Sequence, residues 1–368
     1  MFLVFLFCWG IYGYLLWRWS RWAPPSFSSG SASTVAIIIP VRNEEKNLAT
    51  CLDSLLQQTY PPTEIWVIDD HSEDGTLLLA HQYAEKEPRI RVLSLPPTKW
   101  GKKEAIRLGI QHASADVILT TDGDTRHEPD TVEKMAAPFT HPAVQAVGGW
   151  VRLKAASGLL NAFQRIEVAG LLTLTAGSWK RGEPITANGA LLAYRRSTFW
   201  EVDGWGPAQL HPSGDDDLLV QRIYLRYGPS SLLFSEAIVE TQAAPTWEAF
   251  LQQRLRWLSK RGLYRLSFPR IGLALLALTQ ASLPIALWLY PLFGAIGWIG
   301  LGMWQSYIAR KGLSQTRSEN PPLLYWGVSV LLYPLYVVGV SLLSLLRPQF
   351  SWKGRIFSSK VLQKGELL

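Results

Sequence analysis

The segment VAIIIPVRNEEKNLATCLDSLLQQTYPPTEIWVIDDHSEDGT, residues 35–76, decides the fold. It opens with the unbroken apolar run Val35–Pro40, which is typical of a parallel strand buried on both faces. Leucines then recur at helical spacing between Leu48 and Leu56, with Asn43 as the expected cap. A second apolar run follows at Ile65–Ile68. The pattern predicts a βαβ unit with a right-handed crossover.

The same alternation continues to about Arg265 and predicts an α/β domain with a mostly parallel, Rossmann-like sheet. Strands are expected at Ile90–Leu95 and Val117–Thr121, with a helix from about Lys102 to Ala113 between them. Acidic residues follow the strands directly. Because ligands of open α/β sheets bind at the carboxyl ends of parallel strands, a binding site is expected there.

Composition excludes several classes of protein. Apolar residues of the AVILMFWYC set make up 48% of the chain and charged residues 18%, which argues against a disordered or fully soluble protein. The net charge of +7 comes from basic residues beside the most apolar segments, so it suits an anionic membrane surface better than nucleic acid. The two cysteines, Cys8 and Cys51, form no CxxC pair, which excludes a disulfide scaffold and structural zinc.

Long uncharged segments predict membrane spans at both ends of the chain. The expected organisation is a transmembrane anchor at 1–22, a linker at 23–34, a catalytic domain at 35–265, a membrane region of two or three spans at 266–346 and a basic tail at 347–368. A signal peptide is the alternative for residues 1–22, but no basic region precedes the apolar run. Basic residues after the first span and in the tail predict a cytoplasmic catalytic domain and tail, hence two later spans.

A further segment, Gly158–Ser178, carries Leu159, Phe163 and Ile166 at helical spacing. It predicts an amphipathic helix lying on the bilayer.

Four groups of residues carry candidate chemistry. The first comprises Pro40, Glu44 and Asp70, near the ends of the first two strands, where a carboxylate can bind a nucleobase or ribose hydroxyl. The alternative is that Asp69 and Asp70 only cap the next turn.

The second group is Asp122-Gly123-Asp124, after the third strand of the site. A turn at the glycine directs both carboxylates toward one Mg²⁺ or Mn²⁺ ion that neutralises a diphosphate. Such a DxD string also arises often by chance.

The third group is Asp215-Asp216-Asp217, at the start of a predicted helix, Leu218–Tyr227. Capping accounts for one carboxylate, so a surplus one is a candidate general base. The fourth is Gln253-Arg254-Leu255-Arg256-Trp257, which is either a basic interfacial helix or a site where Arg256 binds a diphosphate and Trp257 lines an acceptor pocket.

In chain order these elements resemble the membrane-bound family 2 glycosyltransferases of the lipid- and isoprenoid-glycosylating type, inverting enzymes with a GT-A fold. The strings that carry the resemblance are the opening segment, WGKKEA, Thr-Asp-Gly-Asp-Thr, Asn188-Gly189-Ala190, Ser-Gly-Asp-Asp-Asp and Gln-Arg-Leu-Arg-Trp. Together they cover about residues 35–260 and are far more specific than any one of them.

The resemblance implies a role for each matching residue. Nucleotide-sugar binding is implied for Pro40, Glu44, Asp70, Lys102, Asp122 and Arg256; metal binding for Asp122 and Asp124; acceptor binding for Asn188, Gly189, Gln253 and Trp257. The family motif is usually Thr/Ser-Glu-Asp, whereas this chain has three aspartates. Aligning Ser-Gly-Asp-Asp with it makes Asp216 the expected base and Asp215 the second candidate.

The implied reaction is a single displacement that moves a sugar, expected to be UDP-linked, to a hydroxyl of a membrane lipid or carotenoid. The expected setting is a bacterial cytoplasmic membrane, from which the acceptor reaches the active site. Trp257 and Trp179 are the candidates for lining this entrance, and the alternative is that both are interfacial belt residues. A processive polysaccharide synthase is the first alternative. A non-catalytic membrane-tethered sugar-nucleotide sensor is the second.

Overall fold

The computed structural model describes residues 2–23, 33–346, 349–352 and 355–358. Contacts divide the chain into two units. The sheet unit comprises Pro24–Val151 and Thr186–Gln242, and the helical unit comprises Met1–Ala23, Arg152–Ile185 and Ala243–Leu368. Residues 152–185 and 243–265 thus group with the helical unit by contacts. The bounds 35–265 expected for the catalytic domain stay a prediction.

The elements follow one another along the chain. The helices are α1 (Phe2–Trp19), α2 (Leu48–Leu56), α3 (Thr76–Lys86), α4 (Lys102–His112), α5 (Thr131–Ala136), α6 (Leu159–Lys180), α7 (Arg196–Glu201), α8 (Asp217–Tyr227), α9 (Trp247–Ser259), α10 (Ser267–Leu289), α11 (Pro291–Gln315) and α12 (Leu323–Leu346). The strands are β1 (Val35–Val41), β2 (Glu64–Asp69), β3 (Ile90–Ser94), β4 (Val117–Thr120), β5 (Arg126–His127), β6 (Ala146–Leu153), β7 (Leu192–Arg195), β8 (Leu232–Thr241), β9 (Gln349–Trp352) and β10 (Arg355–Ser358).

The main sheet has eight strands in the order β3-β2-β1-β4-β7-β6-β8-β5. Strands β3, β2, β1 and β4 are parallel neighbours, and β7 joins β4 in the antiparallel sense. Strand β1 lies inside the parallel part, so its first five residues are all buried, as the unbroken apolar run predicts. The α/β fold class and the first βαβ unit are therefore confirmed.

One detail of this unit differs from the prediction. Asn43 does not cap α2; the N-cap position belongs to Asn47, which makes no side-chain capping hydrogen bond. Asn43 instead has a φ of 55°, and its side-chain oxygen accepts a hydrogen bond from the Glu73 backbone N–H at 2.8 Å. An asparagine tolerates this left-handed conformation, so the residue shapes the loop after β1 rather than the helix.

A buried carboxylate ties β2 to the segment that leads into β4. Glu64 is 3% exposed and accepts hydrogen bonds from the Ser114 N–H at 2.9 Å, the Ser114 hydroxyl at 2.7 Å and the Ala115 N–H at 3.0 Å. The Trp66 indole donates a further bond at 2.8 Å. Burial raises the pKa of Glu64, but these hydrogen bonds together lower it below its usual value.

Glu64→Gln is expected to lower the free energy of unfolding at pH 7 by about 1–3 kcal/mol, because an amide cannot accept all of these hydrogen bonds. The lowered pKa means that the wild-type advantage is complete above the unfolded-state pKa of about 4.3 and is lost as the pH falls through the folded-state pKa. Denaturant unfolding of the full chain at several pH values measures this difference. Glu85→Gln, on the exposed side of α3, is the control and should change stability by less than about 0.5 kcal/mol. A Glu64→Gln deficit that persists unchanged at low pH would contradict the assignment.

Among the described residues of the helical unit, three helices are long and apolar enough to cross a membrane: α1, α10 and α12. The sequence has no charged residue in the 39 positions of Ile271–Ala309. In the structure this stretch is divided at Tyr290, between α10 and α11. Helix α11 is not among the three candidates within the described residues. The preferred count of two spans after the catalytic domain stays a prediction.

The prediction that residues 158–178 form an amphipathic helix on the bilayer is wrong about the amphipathic pattern. Helix α6 is not an amphipathic helix with one apolar face, because buried residues surround most of its circumference. A Cβ atom on Gly177 would lie 1.7 Å from the Trp19 carbonyl oxygen of α1, and one on Gly312 of α11 would lie 2.2 Å from the Ala169 carbonyl oxygen. Such close contacts at glycine are typical of helices packed side by side.

Trp179 shares this environment. It is only 1% exposed, so its indole packs inside the helical unit rather than lining an entrance. The prediction for Trp179 is therefore corrected.

Candidate active site

The site is built at the carboxyl ends of β2, β1 and β4, which are adjacent in the sheet. Pro40 lies near the end of β1, Asp70 directly follows β2, and Asp122 follows β4 by two residues. This is the edge at which the parallel order of the strands predicts a ligand.

Asp69 and Asp70 have different surroundings. The Asp69 carboxylate accepts from the Ser72 backbone N–H at 3.1 Å, which is the turn-capping role considered for both residues. The Asp70 carboxylate is 96% buried and accepts from the Gly101 backbone N–H at 3.0 Å. Gly101 has a φ of 98°, a conformation that favours glycine, so Asp70 fixes the loop that leads into α4.

The Asp122-Gly123-Asp124 turn packs directly against Glu44. A Cβ atom on Gly123 would lie 2.9 Å from Val41 Cγ1 and 3.3 Å from Glu44 Cγ, so only glycine fits without a shift. Glu44 is buried, and its carboxylate accepts from the Asn47 side-chain amide at 2.8 Å. Glu44 and Gly123, 79 positions apart in the sequence, are therefore in contact in the structure.

Lys102, the first residue of α4, connects the strand ends to the aspartate triplet. Its ammonium lies 2.7 Å from Asp122 Oδ1 and 2.8 Å from Asp215 Oδ2. Burial lowers the pKa of Lys102, but the two carboxylates outweigh burial and raise it above its ordinary value. The lysine is therefore a fixed positive charge between two anions.

The three consecutive aspartates make different contacts. Asp217 accepts from the Ala187 N–H at 2.6 Å and the Thr186 hydroxyl at 2.8 Å, which ties α8 to the chain before β7. Asp216 is the N-cap of α8: one carboxylate oxygen accepts from the Asp217 N–H at 2.7 Å and the other from the Gly189 N–H at 3.0 Å. Asp215 has the ion pair with Lys102.

Gly189 closes this part of the site. A Cβ atom there would lie 2.4 Å from Asp215 Oδ2 and 3.1 Å from Lys102 Nζ. The neighbouring Asn188 side chain accepts from the Ala190 N–H at 2.9 Å and so shapes the same turn. Gly189 thus contacts Asp215 and Asp216, and the acceptor-binding role expected for Asn188 and Gly189 stays a prediction.

Gly189→Ala is expected to lower the proposed transfer activity by about a hundredfold, because the added methyl group displaces the Lys102–Asp215 pair by about 1 Å. Gly300→Ala in α11 is the matched control, since nothing lies within 4 Å of a Cβ atom at that position. The measurement is turnover together with the melting temperature of each variant. Full activity in Gly189→Ala would show that the pair is not needed.

Sequence analysis did not single out the two threonines that flank the acidic turn. The Thr125 hydroxyl donates to the Asp122 carbonyl oxygen at 2.7 Å, and the Thr121 hydroxyl donates to the Ala190 carbonyl oxygen at 2.8 Å. The two hydroxyls lie 2.9 Å apart, and His127 Nε2 is within 3.3 Å of both. Burial lowers the pKa of His127 to about 3, so this imidazole stays neutral. The symmetric Thr-Asp-Gly-Asp-Thr string, in which a threonine flanks the turn on each side, was the feature of the sequence that could have indicated this role.

Mg²⁺ and Mn²⁺ prefer oxygen ligands, and this turn offers two carboxylates, Asp122 and Asp124. Within the described part of the chain, no group of three or more His, Cys, Asp or Glu side chains forms a metal cluster. Mg²⁺ commonly binds through one or two carboxylates and completes its shell with water and substrate phosphates. The donor set therefore fits a cation that arrives with a diphosphate.

The predicted residues on α9 belong to the helical unit. Gln253, Arg256 and Trp257 are half-buried, whereas Arg254, to which no role was assigned, is 4% exposed. The Arg254 guanidinium lies over the Trp257 ring, 4.2 Å from its centroid, and donates to the Gln253 side-chain oxygen. The motif is thus organised around Arg254.

The chain matches the sequence model described as glycosyl transferase family 2 over residues 36–203. This region contains the β1–α2–β2 unit, Lys102, the acidic turn and Gly189. The match covers 168 of the 368 residues and agrees with the resemblance of the chain's motifs to the family 2 glycosyltransferases.

Three curated relatives show the range of the family. The probable glycosyltransferase YdaM of Bacillus subtilis (strain 168) is 31% identical over 235 residues, covering 61% of this chain and 54% of the relative. A beta-monoglucosyldiacylglycerol synthase of Synechocystis sp. (strain ATCC 27184 / PCC 6803 / Kazusa) is 25% identical over 345 residues, covering 81% and 68%. A poly-beta-1,6-N-acetyl-D-glucosamine synthase of Staphylococcus aureus (strain COL) is 27% identical over 252 residues, covering 65% and 57%. The matches thus span between about half and two thirds of these relatives.

Among solved structures, the fold is similar to that of the mannosyltransferase PcManGT from Pyrobaculum calidifontis, crystallised in complex with GDP-Man and Mn²⁺. The TM-score is 0.59 at 19% identity, covering 93% of this chain and 96% of that one. The likeness shows a shared GT-A fold.

Proposed function

We propose that the protein is a membrane-bound inverting hexosyltransferase that moves a sugar from a UDP-linked donor to a hydroxyl of a membrane lipid. The observation that carries the proposal is Lys102, which is held between Asp122 and Asp215 at the carboxyl edge of the sheet. A buried cation beside a strand-end carboxylate turn suits a diphosphate, and a further carboxylate at the same point suits proton abstraction.

The donor half of the site follows from the strand ends. We assign Asp70 and Glu44 to the nucleoside, together with Pro40 near the end of β1. Lys102 offers a positive charge to the diphosphate, and Arg256 is proposed from the family resemblance to do the same. Asp122 and Asp124 would hold Mg²⁺ or Mn²⁺, which when bound neutralises the charge of the leaving group.

For the general base we place Asp215 before Asp216, reversing the order expected from the motif alignment. Both oxygens of Asp216 accept backbone hydrogen bonds, so this side chain serves the helix cap and the Gly189 turn. Asp217 is committed to Thr186 and Ala187. Asp215 is the carboxylate that shares Lys102 with the acidic turn, which supports its role in removing the proton of the acceptor hydroxyl.

A lipid acceptor is supported by the three candidate membrane helices and by the similarity to a glycolipid synthase over 81% of the chain. Enzymes that take a lipid at the membrane surface gain from tethering, because it holds the site at the level of the headgroups. We infer a bacterial cytoplasmic membrane protein with its catalytic domain, residues 35–265, and its tail in the cytoplasm. The acceptor class includes diacylglycerols and isoprenoid or carotenoid alcohols.

A processive polysaccharide synthase is the second candidate, favoured by the similarity to the poly-N-acetylglucosamine synthase. The two candidates differ in how the rate depends on the acceptor. With the full-length protein in vesicles, transfer to a lipid should follow the mole fraction of acceptor within the bilayer and not its bulk concentration.

The control in this experiment is a short soluble alcohol or oligosaccharide. Efficient glycosylation of the soluble acceptor, with no gain from a lipid tail, would overturn the lipid proposal and favour the polymer. Donor binding with neither transfer nor hydrolysis would favour a sugar-nucleotide sensor.

A further inference from the structure

Arg254 is a buried cation in the helical unit with partners on two other helices. Its Nε lies 3.1 Å from Glu167 Oε2 of α6, and its Nη2 pairs with the same carboxylate. The Tyr336 hydroxyl of α12 donates to Glu167 Oε1 at 2.6 Å. Glu167 therefore receives hydrogen bonds from α9 and from α12 at once.

The arginine stays charged in this setting. Burial lowers the pKa of Arg254, but the charge of Glu167 raises it above its ordinary value. A buried ion pair of this kind adds little to stability compared with apolar residues of the same size. Its presence is better explained by the geometry that it imposes.

Arg254 contacts two other residues of the fourth candidate group, Gln253-Arg254-Leu255-Arg256-Trp257. The guanidinium lies over two aromatic rings, 4.3 Å from the centroid of Phe250 and 4.2 Å from that of Trp257. Its Nη1 donates to the side-chain oxygen of Gln253. One planar group thus contacts both Gln253 and Trp257 while its edge is held by Glu167.

We propose that Glu167 and Tyr336 are positioning residues that orient Arg254, and through it the Trp257 indole and the Gln253 amide, for binding of the acceptor. The inference rests on the proposed function and on the acceptor-binding role that the family resemblance implies for Gln253 and Trp257. Lysine cannot replace Arg254, because it lacks both the planar surface that stacks on indole and the fork that matches a carboxylate.

The orientation itself is measured without any reaction. Full-length protein labelled with 5-fluorotryptophan is examined in detergent by ¹⁹F NMR, and the Trp257 resonance is assigned with Trp257→Phe. Glu167→Gln, Tyr336→Phe and Arg254→Lys should each shift or broaden this resonance. Tyr336→Phe removes one hydroxyl group only, so it tests the proposal even if the charged variants fold poorly.

Arg261→Gln is the matched control. Arg261 also joins the region after α9 to α12, through a 2.9 Å hydrogen bond from Nη1 to the Ser344 hydroxyl, but the contacts of Gln253 and Trp257 described above do not include it. It should leave the Trp257 resonance in place. A resonance that is unchanged in both Glu167→Gln and Tyr336→Phe overturns the proposal.

Kinetics in vesicles supply the second measurement. Glu167→Gln and Tyr336→Phe should raise the KM for the lipid acceptor by about tenfold, while the KM for the donor and the hydrolysis of donor without acceptor stay at the wild-type level. A lower melting temperature with an unchanged acceptor KM would show a purely structural role and overturn the inference. If the wild type glycosylates no lipid, the proposed function fails, and the NMR result still decides whether Glu167 and Tyr336 position Trp257.

Discussion

Asp215→Asn should lower turnover by about a thousandfold and leave the melting temperature close to that of the wild type. The amide is the same size and can still accept a hydrogen bond from Lys102, so the contact at 2.8 Å need not be lost. It cannot take a proton from the acceptor hydroxyl, which is the role we assign to the carboxylate. Steady-state kinetics with saturating donor, together with donor affinity by calorimetry, measure the effect.

Asp216→Asn is the comparison that gives this result its meaning. Asparagine is as good an N-cap as aspartate, but its amide nitrogen cannot accept the Gly189 N–H, so a modest loss of stability and a turnover within about tenfold of the wild type are expected. If Asp216→Asn is the more damaging variant, the order inferred from the motif alignment is right and Asp215 serves only to hold Lys102.

Asp124→Asn is expected to abolish transfer while leaving the fold intact. Asp124 lies on a short turn after β4, where a carboxylate should contribute more to cation binding than to stability. The loss should be matched in the wild type by chelation with EDTA and reversed there, but not in the variant, by added Mn²⁺ or Mg²⁺. The measurement is turnover across a metal titration.

Asp130→Asn is a suitable control for this experiment. Asp130 directly precedes α5, its side chain is 45% exposed and pairs with Lys134, and it has no proposed role. Near-normal turnover of Asp124→Asn, or full wild-type activity in EDTA, would contradict the proposal that transfer requires a metal ion bound by Asp124.

The parallel half of the sheet could be predicted because its signal is local. A strand buried on both faces must be apolar throughout, and Val35–Pro40 shows this directly. The strand ends then follow from the chain itself, so Asp70 and Asp122 could be placed at one edge before any coordinates were known. The pairing of Lys102 with Asp215 could not, since 113 positions separate them and no local pattern encodes their meeting.

The environment of a helix in the helical unit is harder to predict, because the spacing of its apolar residues does not say what they pack against. The spacing of Leu159, Phe163 and Ile166 is the same whether a helix lies on a bilayer or packs among other helices. What decides is close contact at small residues such as Gly177, and that depends on segments far away in the chain. A cation in a basic stretch is ordinarily solvated, so the sequence gives no sign that Arg254 is buried and paired with Glu167.

The most direct test of the central claim is the product itself. The purified full-length protein is incubated in vesicles made from extracted bacterial lipids with Mn²⁺ and a panel of nucleotide sugars, and the lipids are analysed by mass spectrometry, with Asp215→Asn run in parallel. We expect the wild type to add a hexose-sized group, with inverted anomeric configuration, to a hydroxyl-bearing lipid. This product should be absent with Asp215→Asn. A sugar polymer without a lipid product, or an equal lipid product from Asp215→Asn, would contradict it.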